Sequence, residues 1–146
     1  MADRWMYRII YLSTAARQIT PEDLESILSH AQINNARDGI TGLLMFHDNN
    51  FLQFLEGEQA AVMACVKRIE ANTMHRQIMR VFAGEVDQRL FAEWSMAFAR
   101  PATTLPNAPG VRAFDAVRAL LPDIERGDRR VAIMIRNFFS SFRDVG

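Results

Sequence analysis

Ile40-Thr41-Gly42-Leu43-Leu44-Met45-Phe46-His47-Asp48-Asn49-Asn50-Phe51-Leu52-Gln53-Phe54-Leu55-Glu56-Gly57 is the stretch that decides the fold. Two apolar runs, Ile40 to His47 and Phe51 to Leu55, are separated only by Asp48-Asn49-Asn50. Asp and Asn tolerate positive φ, so the stretch predicts a tight β-hairpin that ends at Gly57. Upstream, Tyr7 to Ser13 (YRIIYLS) is β-branched and aromatic, as in a strand buried on both faces. Between that strand and the hairpin, Thr20-Pro21-Glu22-Asp23 announces a helix. Thr20 can cap it, Pro21 suits its first turn and the two acids favour its positive end. Leu24, Ile27, Leu28 and Ala31 follow at helical spacing, and Asn34 and Asn35 lie where the helix should end.

Downstream of the hairpin, a second helix is predicted over Gln59 to Ala71, with Val62, Cys65, Val66 and Ile69 on its inner face. Ile78 to Val86 reads as a fourth strand and, after a polar turn at Asp87 to Arg89, Trp94 to Ala99 as a short fifth. The order β-α-β-β-α-β-β predicts an α+β, ferredoxin-like sheet with both helices on one face, because crossovers are right-handed. Arg100 to Gly110 carries Pro101, Pro106, Pro109 and Gly110 and reads as a linker. Val111 to Leu121 and Arg129 to Phe142 read as two more helices, with Pro122 and Gly127 between them. On the last helix Val131, Met134, Ile135, Phe138, Phe139 and Phe142 make a broad apolar stripe. In the first strand Ile10 and Leu12 face opposite to Ile9 and Tyr11, so the sheet needs cover on both sides. The C-terminal helical pair is expected on the second face. Residues 1–100 would form one domain and 101–146 a helical extension packed on its sheet.

Composition narrows the functional classes. Seventeen Lys and Arg balance seventeen Asp and Glu in 146 residues, which lacks the basic footprint of a nucleic-acid binder. A single cysteine, Cys65, allows no intrachain disulfide and fits a reducing cytoplasm. No run approaches the roughly 18 apolar residues of a membrane span, so the expectation is a cytoplasmic protein with no membrane partner. Neither G-x-G-x-x-G nor G-x-x-x-x-G-K-[ST] occurs, and His30, His47 and His75 do not approach a zinc spacing.

Polar residues in apolar surroundings point to a cleft. Gln53 shares a strand face with Phe51 and Leu55, and an unpaired buried amide costs about 1–3 kcal/mol per group. Tyr11 brings a hydroxyl that needs a partner when buried. Asn34 and Asn35 add amides nearby. Taken singly each is more often structural, and Asn34 with Asn35 could simply form a helix C-cap.

At these residues the chain resembles the BLUF family, the sensors of blue light using FAD, across about Tyr7 to Phe98. The resemblance rests on Arg8-Ile9-Ile10-Tyr11-Leu12-Ser13, on Asn34-Asn35-Ala36-Arg37-Asp38-Gly39-Ile40-Thr41-Gly42-Leu43-Leu44, on Phe51-Leu52-Gln53 with Leu55-Glu56-Gly57, and on Trp94-Ser95-Met96. The C-terminal helices resemble those of short members with no enzymatic domain. The resemblance implies non-covalent FAD, a photoactive Tyr11, and Gln53 between it and the flavin. It places Asn35 and Asn34 at the isoalloxazine edge, and Arg68 and His75 near the ribityl, phosphate or adenine part. Ile27, Leu28, Val66 and Ile69 would supply an apolar surface for the ring. Ser13, Trp94 and Met96 match positions linked to signal output. Where relatives often carry an acid, this chain has Asn72. The expected function is a blue-light photoreceptor, not an enzyme. It would pass its signal to a separate protein and form homo-oligomers. A flavin-dependent oxidoreductase and a cofactor-free interaction domain are the competing expectations.

Overall fold

The hairpin forms as the sequence predicts. In the computed structural model, which describes residues 6–73, 75–92, 94, 97–100 and 111–140, β2 (Thr41–His47) and β3 (Asn50–Gly57) pair antiparallel, with His47 opposite Asn50. Asp48 and Asn49 both take positive φ, 51° and 66°. That is the twist a two-residue hairpin loop requires. β1 (Met6–Ala15) lies antiparallel on the other side of β3, which puts Tyr11 directly opposite Gln53. β4 (His75–Val86) pairs antiparallel with β1, and the sheet is completed by β5 (Ala97–Arg100) and β6 (Val111–Ala113) in the order β4-β1-β3-β2-β5-β6. β5 joins β2, and β6 joins β5, in parallel.

α1 (Pro21–Asp38) starts at the anticipated cap. Thr20 Oγ1 accepts the Asp23 N–H, and Asp23 returns the bond by accepting the Thr20 N–H. The helix runs further than expected, however. It ends at Gly39, which takes the left-handed φ of 70°, so Asn34 and Asn35 lie in its last turns and are not its cap. The Asn35 carbonyl accepts the backbone N–H groups of Gly39 and Ile40. α2 (Gln59–Glu70) matches its predicted span to one residue.

Other boundaries moved for non-local reasons. β4 begins at His75 rather than Ile78, and it carries register irregularities against β1 and a positive φ at Gln77. Such bulges break the alternation by which strands are read from sequence. Val111–Ala113 is a strand, not the start of a helix, and α3 runs Phe114–Gly127 with Pro122 inside it. A proline there removes one backbone bond, yet Leu121 and Ile124 on either side are buried in the core and hold the helix through it. Of the predicted linker, Arg100 ends β5 and residues 101–110 lie outside the described residues, as does Phe142 beyond α4 (Arg129–Ser140).

The alternation of β1 and β3 divides the interior into two cores. On one face Ile9, Tyr11, Phe51 and Leu55 pack with Leu24 and Leu28 of α1 and with Val62, Cys65 and Val66 of α2. On the other, Ile10, Leu52 and Phe54 pack with Val117, Leu121 and Ile124 of α3 and with Val131, Ile135 and Phe138 of α4. Fully burying each such side chain is worth about 1.5–3 kcal/mol, so the C-terminal pair is docked on the sheet. A buried charge cluster pins it there. Arg8 and Glu56, only 2% and 1% exposed, form an ion pair at 3.2 Å, and Arg8 Nη1 reaches Asp128, between α3 and α4, at 2.9 Å. No helix among the described residues is long and apolar enough to cross a membrane.

Candidate functional site

Gln53 is held by its strand. β3 is flanked by β1 and β2, so the Gln53 backbone is paired on both sides, with Tyr11 and with Leu44. Its side chain lies on the face covered by α1 and α2, where it is 5% exposed. The Tyr11 hydroxyl donates to Gln53 Oε1. Tyr11 itself is fully buried. Burial first, and then the charges of Cys65 and Glu70, push its phenol well above the ordinary range, which favours the protonated form that donates to Gln53.

Above Gln53 the two helices leave a cavity of about 190 Å³. Ser26, Ile27, His30, Ala31, Asn34 and Asn35 of α1 form one wall, and Cys65, Arg68 and Ile69 of α2 form the other with Asn72 beyond its end. Leu44 and Gln53 form the floor. Both walls follow from helical spacing, since positions 27, 30, 31 and 34 share one face of α1 and positions 65, 68 and 69 one face of α2. Pockets that swallow a whole small ligand are about 300–1,000 Å³. This cleft is smaller, the size to enclose one ring system of a larger molecule.

One atom in the cleft lacks a partner. Asn35 is 1% exposed, and its Nδ2 is the buried side-chain polar atom among the described residues with no hydrogen bond. An orphaned buried donor costs about 1–3 kcal/mol, so it marks a place for an acceptor. Asn35 Oδ1 accepts from the Cys65 thiol at 3.8 Å. At the α2 wall the Arg68 guanidinium lies 3.3 Å from Asp38. The Arg37 guanidinium, bonded to the same carboxylate, is the main reason that Asp38 is held below the usual range.

The expected site residues divide into those at the cleft and those away from it. Ile27, Asn34, Asn35, Gln53, Arg68 and Ile69 meet there, with Tyr11 bonded beneath. Leu28 and Val66 lie in the core behind it rather than on its wall. Of His75 only the backbone is described, paired with Ala15, and Met96 lies outside the described residues. Trp94 is on the far face. It stacks on Phe91 at 5.8 Å and packs against the core under α3 and α4. Ser13 is buried and borders a larger hollow of about 690 Å³ between β1, β4 and α4, on the side away from the cleft. That hollow is bigger, yet it opens on the opposite face of the sheet from the one on which the Tyr11 side chain packs. Chemistry, not volume, singles out the smaller one. The sequence reading missed Leu44, Ser26, His30 and Cys65 as cleft residues. For Cys65 the signal was present in its spacing from Arg68, Ile69 and Asn72.

Comparison with known proteins bears on the same residues. The family model described as sensors of blue light using FAD (BLUF) matches residues 6–97. The photoactivated adenylate cyclase subunit alpha of Euglena gracilis is 32% identical over 83 residues, 57% of this chain and 8% of that protein. The chain thus spans less than a tenth of the length of that curated relative. Among solved structures, BlsA in its ground state aligns with a TM-score of 0.63 at 32% identity, over 67% of this chain and 66% of that one. BlrB, a BLUF protein in its dark state, aligns with a TM-score of 0.66 at 27% identity, over 97% of this chain and 100% of that one.

Proposed function

This chain belongs to the BLUF family, the sensors of blue light using FAD, and we propose that it senses light through the Tyr11–Gln53 pair at the floor of the cleft between α1 and α2. The observation that carries the reading is that bond itself, buried beneath a cleft whose wall holds the unpaired Asn35 Nδ2. The residues fit the cofactor. Asn35 and Asn34 would meet the polar edge of the ring, Gln53 would lie beneath it, and Ile27, Ala31 and Ile69 offer apolar surface. Leu28 and Val66 would support that surface from behind. Arg68 would face the ribityl or phosphate part, and His75 is assigned there on the family pattern alone.

When bound, a flavin would supply the absorption of blue light and, in its excited state, an oxidant for a close electron donor. Tyr11 is the donor in place. Loss of an electron makes its phenol strongly acidic, and burial leaves the proton no route to water. Gln53 Oε1 is the acceptor already bonded to it. An amide both donates and accepts, so Gln53 can take that proton at Oε1 and pass one from its amide nitrogen to an acceptor that a bound flavin would supply, and tautomerisation or rotation of the amide then leaves its bonds rearranged. When the electron and a proton return to Tyr11, composition is restored and the Gln53 donor and acceptor have changed places. The altered bonds on β3 would reach the second face of the sheet, where Trp94 and the α3–α4 pair lie, with Ser13, paired with Phe51 of β3, and Met96 assigned to the same path. For this to switch a partner, that face must have two arrangements of similar free energy.

The chain itself would be a sensor without enzymatic activity, acting in the cytoplasm on a separate signalling protein or as a homo-oligomer. Its similarity to a photoactivated adenylate cyclase subunit is a reason to look for a cyclic-nucleotide enzyme as that partner. Residues 1–100 would be the sensor and 101–146 its output element. The test is Tyr11→Phe protein loaded with FAD. It should keep the dark flavin spectrum and lose the small red shift that blue light produces. An unchanged shift would overturn the assignment.

A further inference from the structure

We infer that Cys65 is a positioning residue, whose thiol fixes which way the Asn35 side-chain amide faces and so gives the cleft an N–H donor rather than a carbonyl acceptor. The inference rests on the flavin reading above but concerns a residue which that reading leaves unused.

An asparagine amide can occupy two orientations that differ by a half-turn, and its hydrogen bonds decide between them. The backbone of Asn35 is already fixed, because its carbonyl takes the N–H groups of Gly39 and Ile40 at the end of α1. What remains free is the side chain. Cys65, one helix away on α2, is the partner of Oδ1, at 3.8 Å. Burial pushes the Cys65 thiol up, against the opposing pull of Arg68, so the sulfur keeps its proton and has a donor to offer. With Oδ1 held by that donor, Nδ2 is turned away from the sulfur and left without a hydrogen bond, on a residue that lines the cleft. In the reversed orientation the amide N–H would face sulfur, a weak acceptor, and Oδ1 would face the cleft. The thiol thus selects for a ligand that presents an acceptor, such as a ring carbonyl, at this spot. A purely apolar residue at position 65 would fill the same space and remove the preference.

Three variants of the full chain, Cys65→Val, Cys65→Ala and Cys65→Ser, separate donation from packing. Cys65 is the single cysteine of the chain, so the infrared S–H stretching band of the wild-type protein without flavin belongs to it alone and should sit at the frequency of a hydrogen-bonded thiol. Cys65→Val and Cys65→Ala should weaken FAD binding by about two- to tenfold, the span of one modest hydrogen bond. They should also raise the frequency of a flavin carbonyl stretch in the dark state. Cys65→Ser, which retains a donor, should restore both. The inference is overturned if the S–H band is that of a free thiol, if Cys65→Val matches wild type in affinity and carbonyl frequency, or if Cys65→Ser fails alongside Cys65→Val. Wild-type protein that takes up no FAD would instead bring down the flavin reading and this inference with it.

Discussion

Glu56 is the residue whose neutralisation should cost the fold most for the smallest change in shape. Its carboxylate, 1% exposed, accepts the backbone N–H of Leu90 at 3.0 Å and of Phe91 at 2.6 Å, Thr41 Oγ1 at 3.3 Å and Arg8 Nη2 at 3.2 Å. In Glu56→Gln one of the two acceptor oxygens becomes an NH₂ group, which must then face donors. The remaining oxygen cannot serve both sets. Arg8 loses its full counter-charge, although Asp128 stays at 2.9 Å. Breaking a buried pair costs about 3–5 kcal/mol, and the surviving Asp128 contact argues for the lower end, about 3 kcal/mol. At about 2–4 °C per kcal/mol for a chain of this size, the melting temperature should fall by roughly 6–12 °C. Thermal unfolding of wild type, Glu56→Gln, Arg8→Met and the double variant Arg8→Met with Glu56→Gln, followed by far-UV circular dichroism, gives the comparison. The double variant removes the stranded cation and should recover part of the loss. A drop under about 2 °C for Glu56→Gln, or a double variant that loses the sum of both single changes, would refute the view that the cluster acts as one unit.

Asp128 predicts a pH effect. Burial raises its carboxyl, but the Arg130 side-chain and backbone bonds and the charges of Arg130 and Arg8 together outweigh this and leave it below the usual range. A carboxylate depressed in the folded state contributes stability above its unfolded pKa of about 3.9, and that stability is lost as pH falls further. Trp94 emission, recorded in a Trp5→Phe background, should therefore report loosening of the α3–α4 face below about pH 4, and Asp128→Asn should remove that acid-sensitive step. At Gly39 the cost of a side chain is backbone strain alone, since a Cβ there would meet nothing within 4 Å at φ 70°. Gly39→Ala should cost about 1–2 kcal/mol, seen as a lower melting temperature, whereas Gly39→Asn should cost less. Equal losses would count against the left-handed cap as the cause.

What the amino acids determined by themselves was local. The Asp48-Asn49 turn, the Thr20 cap and the alternation of β1 and β3 are each set by residues a few positions apart, so the hairpin, the start of α1 and the two-faced sheet were legible in the chain. So was the need of Gln53 for a polar partner, because a strand apolar on both faces leaves its amide nowhere to meet water. Tertiary structure decided what depends on distant neighbours. β5 was foreseen as a strand, but its parallel pairing with β2 and the existence of β6 beside it are encoded in no short window, and α3 continues through Pro122 because buried residues on both sides of it hold the helix. Trp94 lies on the far face, stacked on Phe91, and Leu28 and Val66 belong to the core under α1 and α2 rather than to the cleft wall. The Asn35–Cys65 contact likewise joins two helices thirty residues apart in number. A sequence specifies which side chains share a face. Which faces then meet, and which atom is left over between them, follows only when the whole chain has packed.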